Sequence, residues 1–133
     1  ISGGTARGPL IGGNLSLLHS LSGSKSDIDT GNKILFLEDL DEYLYHIDRM
    51  MMQMKRSGKL TKLKGLIVGG MTRMQDNAIL FGKTAEEIIF EKVDGYKFPV
   101  CFGFPAGHID DNRAIYLGKN AKLTVGNSVN LAF

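Results

Sequence analysis

A chain of 133 residues, 43% of them hydrophobic and 23% charged, suits one domain with one ordinary core, and that balance fits neither disorder nor a fibrous repeat. The formal charge of +2 is too small, and too evenly interleaved with acids, for a nucleic-acid partner, and no apolar run approaches the ~20 residues of a membrane-crossing helix. A single cysteine, Cys101, excludes an internal disulfide framework and makes a reducing compartment the default.

The chain opens Ile1-Ser2-Gly3-Gly4 with no initiator methionine and no signal-like stretch, which reads as a piece of a longer protein or a processed product. Residues 7–13 (RGPLIGG) end in two glycines, and Asn14 then stands before Leu15, Leu17, Leu18 and Leu21, the pattern of a cap followed by a short amphipathic helix. Residues 22–32 are a loop by composition. The continuous apolar run Ile34-Leu35-Phe36-Leu37 suits a strand covered on both faces, and it stops on Glu38 and Asp39.

From Asp39 the period becomes helical, with Leu44, Ile47, Met51 and Met54 on one stripe. Asp39 and Glu42 have the spacing of a capping box, acids crowd the expected first turn, Lys55 and Arg56 close the last, and Gly58 follows as a stop. Leu66-Ile67-Val68 is a second apolar run, ending in Gly69-Gly70. Thr84 and Glu87 make another capping-box pair ahead of Ile88, Ile89 and Val93, with Gly95 beyond. Val100-Cys101-Phe102 is a third short strand and leads into FPAGHIDDN, residues 104–112. Residues 114–117, 123–125 and 129–133 read as short, partly alternating strands, the last two separated by a Gly126-Asn127 turn. The order predicts an α/β domain: a small parallel-centred sheet with flanking helices and an antiparallel C-terminal tail, swivelling-domain-like in outline.

Functional groups in open parallel sheets collect beyond the carboxyl ends of the strands. Glu38 and His108 both sit there, and a carboxylate beside a histidine is the orienting half of a nucleophilic triad. The plainer readings are a helix-entry acid and a loop histidine bonded to a carbonyl, and Asp39 competes with Glu38 for either role of the acid. A nucleophile is missing. No G-x-S-x-G elbow occurs, and Ser22, Ser24 and Ser26 lie in a loop. Cys101 sits mid-strand, where a buried core residue is the more frequent use of cysteine than an exposed thiolate. His19, His46 and His108 lack metal-ligand spacing and Asp110-Asp111 reads as an acidic turn, so neither a metal nor another cofactor is expected. His46 follows Glu42 by one turn and reads as a solvated pair. Met50, Met51, Met52 and Met54 suit either helical core or a greasy binding surface, and Gly12-Gly13-Asn14 either a tight turn or an anion site on free amides.

Taken in order, GPLIGGNLSLL, ILFLED, YHIDRMMMQMKRSGKL and FPAGHIDDN resemble the C-terminal domain of the L,D-carboxypeptidase family, serine peptidases that include murein tetrapeptide carboxypeptidases and microcin-immunity peptidases. The most specific parts are the acid at the strand end, Ile47-Asp48-Arg49-Met50 and Gly107-His108. Ile115-Tyr116-Leu117-Gly118 departs from the pattern, since the family commonly has a proline there. The resemblance implies that residues 1–133 are the C-terminal half of a two-domain bacterial peptidase. Its partners would be a murein peptide and its own N-terminal domain, which would carry the serine and the oxyanion-hole amides. Glu38 and His108 would complete a Ser-Glu-His triad, and Asn14 would either line the substrate pocket or serve as a plain helix cap. The intact enzyme would release terminal D-alanine from recycled cell-wall tetrapeptides in the cytoplasm, and the piece alone would be inactive. Neither nucleic acid nor a membrane is an expected partner, and the oligomer this reading allows is a homodimer. The alternatives are a peptidase that detoxifies a peptidyl-nucleotide antibiotic, a non-catalytic ligand-binding module, and a hydrolase built on Cys101.

Overall fold

The computed structural model describes residues 2–133. They run β1 (Gly4–Asn14), α1 (Leu15–Ser20), β2 (Ile34–Leu40), α2 (Leu44–Arg56), β3 (Gly65–Thr72), α3 (Ala85–Val93), β4 (Val100–Cys101), β5 (Asn120–Val125) and β6 (Val129–Ala132). The strands form one mixed sheet in the order β4-β3-β2-β1-β5-β6, parallel from β1 to β4 and antiparallel through β5 and β6. This is the α/β architecture that the element order implies.

From β1 to β4 each helical connection advances one place in the same direction, so right-handed crossovers place all three helices on one face. The burial pattern agrees. Leu35, Leu37, Leu66 and Val68 pack with Leu15 of α1, with Ile47, Met50, Met51 and Met54 of α2, and with Ile88, Ile89 and Val93 of α3. Each such side chain, fully buried, contributes roughly 1.5–3 kcal/mol. The alternate residues Ile34, Phe36, Ile67 and Cys101 belong to a second core with Ala6, Leu10, Ala106, Ala121, Leu123 and Val125. The loop after β4 and the β5–β6 ribbon cover that face. The methionine cluster of α2 is thus core, apart from the half-exposed Met52.

β1 runs through Gly12-Gly13-Asn14, so the tight turn read there does not form. Its residues 4–9 pair with β5 and its residues 10–14 with β2, so one long strand serves both parts of the sheet. Its glycines reflect close approach: a Cβ on Gly12 would lie 1.9 Å from the Phe36 carbonyl oxygen. Asn14 caps α1 as expected, its Oδ1 accepting the Leu17 N–H at 3.0 Å.

The capping box expected from Asp39 and Glu42 does not form. β2 continues through Glu38 and Asp39 to Leu40, α2 begins at Leu44 behind Tyr43, and the Leu44 N–H goes to the Gln75 carbonyl at 2.9 Å. The acids have other partners, described below, and a hydrogen-bonded carboxylate can stay inside a strand. The end of α2 matches its sequence, with Lys55 and Arg56 in the last turn and Gly58 at φ +79°. At α3 both bonds of the Thr84–Glu87 capping box are present. Residues 114–117 are irregular rather than a strand: Ile115 reaches the second core, whereas Tyr116 and Leu117 are exposed. The final hairpin turns through residues 126–128. Among the described residues no helix is long and apolar enough to cross a membrane.

Candidate active site

Alternation along β2 decides which acid meets the histidine. Leu35 and Leu37 face the helices, so Asp39 does too, while Ile34 and Phe36 face the second core, and Glu38 with them. At this point the β2–β3 register shifts, with Leu37 opposite Val68 but Asp39 opposite Met71, so Gly69-Gly70 bulges beside Glu38. The glycines make room for the loop from β4. A Cβ on Gly69 would lie 2.3 Å from the Ala106 carbonyl oxygen, and one on Gly70 2.6 Å from Ile109 Cγ2.

That loop is tied at several points. Phe104 N–H donates to the Val68 carbonyl at 3.1 Å, Gly70 N–H to the Ala106 carbonyl at 3.0 Å, and the Thr72 hydroxyl to the His108 carbonyl at 2.7 Å. Gly107, at φ +109°, turns the chain over Glu38 so closely that an added Cβ would lie 2.8 Å from the Glu38 Cβ. His108 arrives with both its backbone N–H (3.2 Å) and its ring Nδ1 (2.7 Å) on Glu38 Oε2. A carboxylate can only accept, so Nδ1 carries the proton and the neutral ring presents Nε2 as a base. The Glu38 side chain is 7% exposed and the His108 side chain 53%, which leaves a buried orienting acid and a reachable imidazole. The hydrogen bond that the ring donates to Glu38, then the Glu38 charge, raise the His108 pKa above the ordinary 6.5. A groove of about 500 Å³ opens beside the ring, lined by Leu40, Thr72, Arg73, Gly107, Ile109 and Asp110 among others.

On the helical side of β2, Asp39 accepts from Asn14 Nδ2 (2.9 Å) and from the Ser16 N–H (2.9 Å) and hydroxyl (2.7 Å). Ser16 Oγ also lies 2.6 Å from Glu42 Oε1, and Glu42 Oε2 lies 2.7 Å from His46 Nδ1. Burial works against the Glu42 carboxylate, but its bonds to Ser16 and His46 hold its pKa below the ordinary value. This set contains a serine, an acid and a histidine in the wrong order for catalysis. The carboxylate lies between the other two, so the imidazole cannot take the serine's proton. The solvated Glu42–His46 pair of the sequence reading is therefore one end of a part-buried network. Asn14 is committed to α1 and Asp39 rather than facing open amides at an anion site, although its backbone pairs directly with that of Glu38.

Ser24 and Ser26 bond within their own loop, and Ser22 Oγ lies 3.4 Å from Gln53 Oε1. Cys101 is fully buried, and desolvation pushes its thiol up to about 11, the opposite of an activated nucleophile. Asp111 pairs with Arg113 in the acidic turn. Among the described residues no cluster of three metal-ligating side chains occurs. Sequence reasoning missed the supports of the site: Thr72 under His108, the Gly69-Gly70 bulge, and the Asp41–Arg73 ion pair beside the groove (2.8 Å). The double glycine directly after an apolar strand was the one legible sign that another backbone passes close by.

Residues 7–123 match the family model described as the LD-carboxypeptidase C-terminal domain. A Bacillus subtilis strain 168 protein named "Probable murein peptide carboxypeptidase" is 38% identical over 120 residues, 90% of this chain and 38% of its own length. The crystal structure of muramoyltetrapeptide carboxypeptidase from Oxalobacter formigenes superposes with a TM-score of 0.84 at 29% identity, over 96% of this chain and 45% of that one. The microcin self-immunity protein MccF of Escherichia coli is 29% identical over 117 residues, 86% of this chain and 33% of its own length. A structure of MccF in complex with glutamyl sulfamoyl guanosine gives a TM-score of 0.79 at 25% identity, over 92% of this chain and 36% of that one. The chain thus spans less than half the length of each of these relatives. Across nearly the whole of its own extent, in sequence and in fold, it belongs to the LD-carboxypeptidase family as that family's C-terminal domain.

Proposed function

We propose that this domain is the C-terminal half of a two-domain serine peptidase that removes terminal D-alanine from murein tetrapeptides in the cytoplasm. The observation that carries the reading is the 2.7 Å contact between buried Glu38 and the half-exposed ring of His108. Glu38 fixes the imidazole tautomer and leaves Nε2 to take the proton of a serine supplied by the N-terminal domain. The serine oxygen attacks the carbonyl before D-alanine, and the imidazolium, stabilised by Glu38, returns the proton to the leaving amine. Water, activated by the same nitrogen, then hydrolyses the acyl-enzyme. The names of the Bacillus and Oxalobacter relatives support a murein peptide as the substrate class.

In the full-length protein, His108→Ala is expected to lower kcat by at least roughly 10³-fold while the folded structure is retained by circular dichroism. Retention of most activity on a D-alanine-terminated tetrapeptide would overturn the assignment. The isolated domain is expected to be inactive on that peptide. A second reading draws on the likeness to MccF, which has a structure in complex with glutamyl sulfamoyl guanosine: in it the same half-triad cleaves a peptidyl-nucleotide amide. Parallel assays of the full-length protein on both substrates separate the two.

A further inference from the structure

A carboxypeptidase acts beside a free chain end, so its site needs a group that holds a carboxylate, and the Glu38–His108 pair provides none. We infer that Arg73 is that group and binds the C-terminal α-carboxylate of the peptide, an inference that rests on the peptidase reading above.

Arg73 and Asp41 are the residues immediately beyond β3 and β2. Both hold left-handed backbone conformations, φ 49° and 56°, although neither is glycine. Such geometry persists only where its surroundings fix it, and it collects at functional sites. Here the Asp41 N–H donates to the Thr72 carbonyl at 3.0 Å, and the Asp41 carboxylate takes Nε (2.9 Å) and Nη2 (2.8 Å) of Arg73. That fork occupies one edge of the guanidinium. The Nη1–Nη2 edge has the same spacing of donors, and the side chain is 68% exposed, so a second carboxylate has a planar two-point partner already fixed in place.

The position suits the chemistry. Arg73 lines the same groove of about 500 Å³ as His108, and apart from the histidine it is the groove's one cation among the described lining residues. Thr72, its neighbour, fixes the His108 carbonyl, so guanidinium and imidazole are held by one strand end. Lysine could not replace it fully, because an ammonium is a point charge and cannot fork to Asp41 and to substrate at once.

The test uses the full-length enzyme with two tetrapeptides that differ only in a free or an amidated C-terminus. Wild type is expected to prefer the free acid by roughly 10- to 100-fold in kcat/KM, mostly through KM, the worth of a charge-assisted contact. Arg73→Ala should fall to a similar rate on both peptides, and Arg73→Lys should lie between. If Arg73→Ala melts early, the partial loss of preference in Arg73→Lys carries the test. An alanine variant that keeps the wild-type preference, or a wild type that has none, overturns the inference alone. A wild type that cleaves neither peptide overturns the peptidase reading as well.

Discussion

Two hydrogen bonds from one residue, backbone and ring, converge on Glu38 Oε2, and they set how the histidine titrates. The folded pKa of His108 is raised, and in the proposed role of base the ring must be neutral, so activity of the full-length protein should rise with pH through that raised value. The acid limb of kcat/KM is therefore expected above 6.5, and Glu38→Gln should move it back toward 6.5 while lowering the rate by roughly 10²- to 10⁴-fold. The same shift has a stability sign. A raised folded pKa contributes stability that is fully present below the unfolded value and is lost as pH rises through the folded one. Thermal melts of wild type and His108→Ala should differ most below pH 6.5, and the gap should narrow as pH rises. Both residues of the pair were legible from their places after strands. The choice of Glu38 over Asp39 was not, because it depends on which face of β2 the loop from β4 covers.

Whether an element could be read from sequence depended on how far away its partners lie. The Thr84–Glu87 box closes within one turn, and its residues announced it; Thr84→Ala should cost about 1 kcal/mol in urea unfolding and leave peptidase activity alone. Asp39 and Glu42 have similar spacing, but Ser16 claims both across the fold, so the start of α2 was misread. β1 was hidden because its glycines answer to the backbone of β2, a neighbour that local pattern cannot see. Gly107 belongs to the same class. Gly107→Ala would put a side chain both in left-handed backbone and against Glu38, so a loss of about 1–3 kcal/mol is expected together with most of the activity. A variant that melted and turned over like wild type would show that the loop reaches Glu38 by another path.

At the scale of the molecule, the one-way strand order places every helix on one face and leaves the other to a loop and a ribbon. β2 and β3 lie inside both cores, and their amides should exchange slowest with solvent, whereas residues 76–83, where Ile79 is 91% and Leu80 73% exposed, should exchange fastest. The α/β class and the antiparallel tail followed from the alternation of runs, but the covering of the second face did not, since it depends on β1 serving both halves of the sheet. That divided strand also bears on how the chain is made. Its residues 10–14 find β2 through a short local crossover, but residues 4–9 must wait for residues 120–125, which are synthesised only after all the helices. A nascent chain stalled before that point would hold its helical layer together while half of β1 lay bare, an open template on which a second unfinished copy could pair.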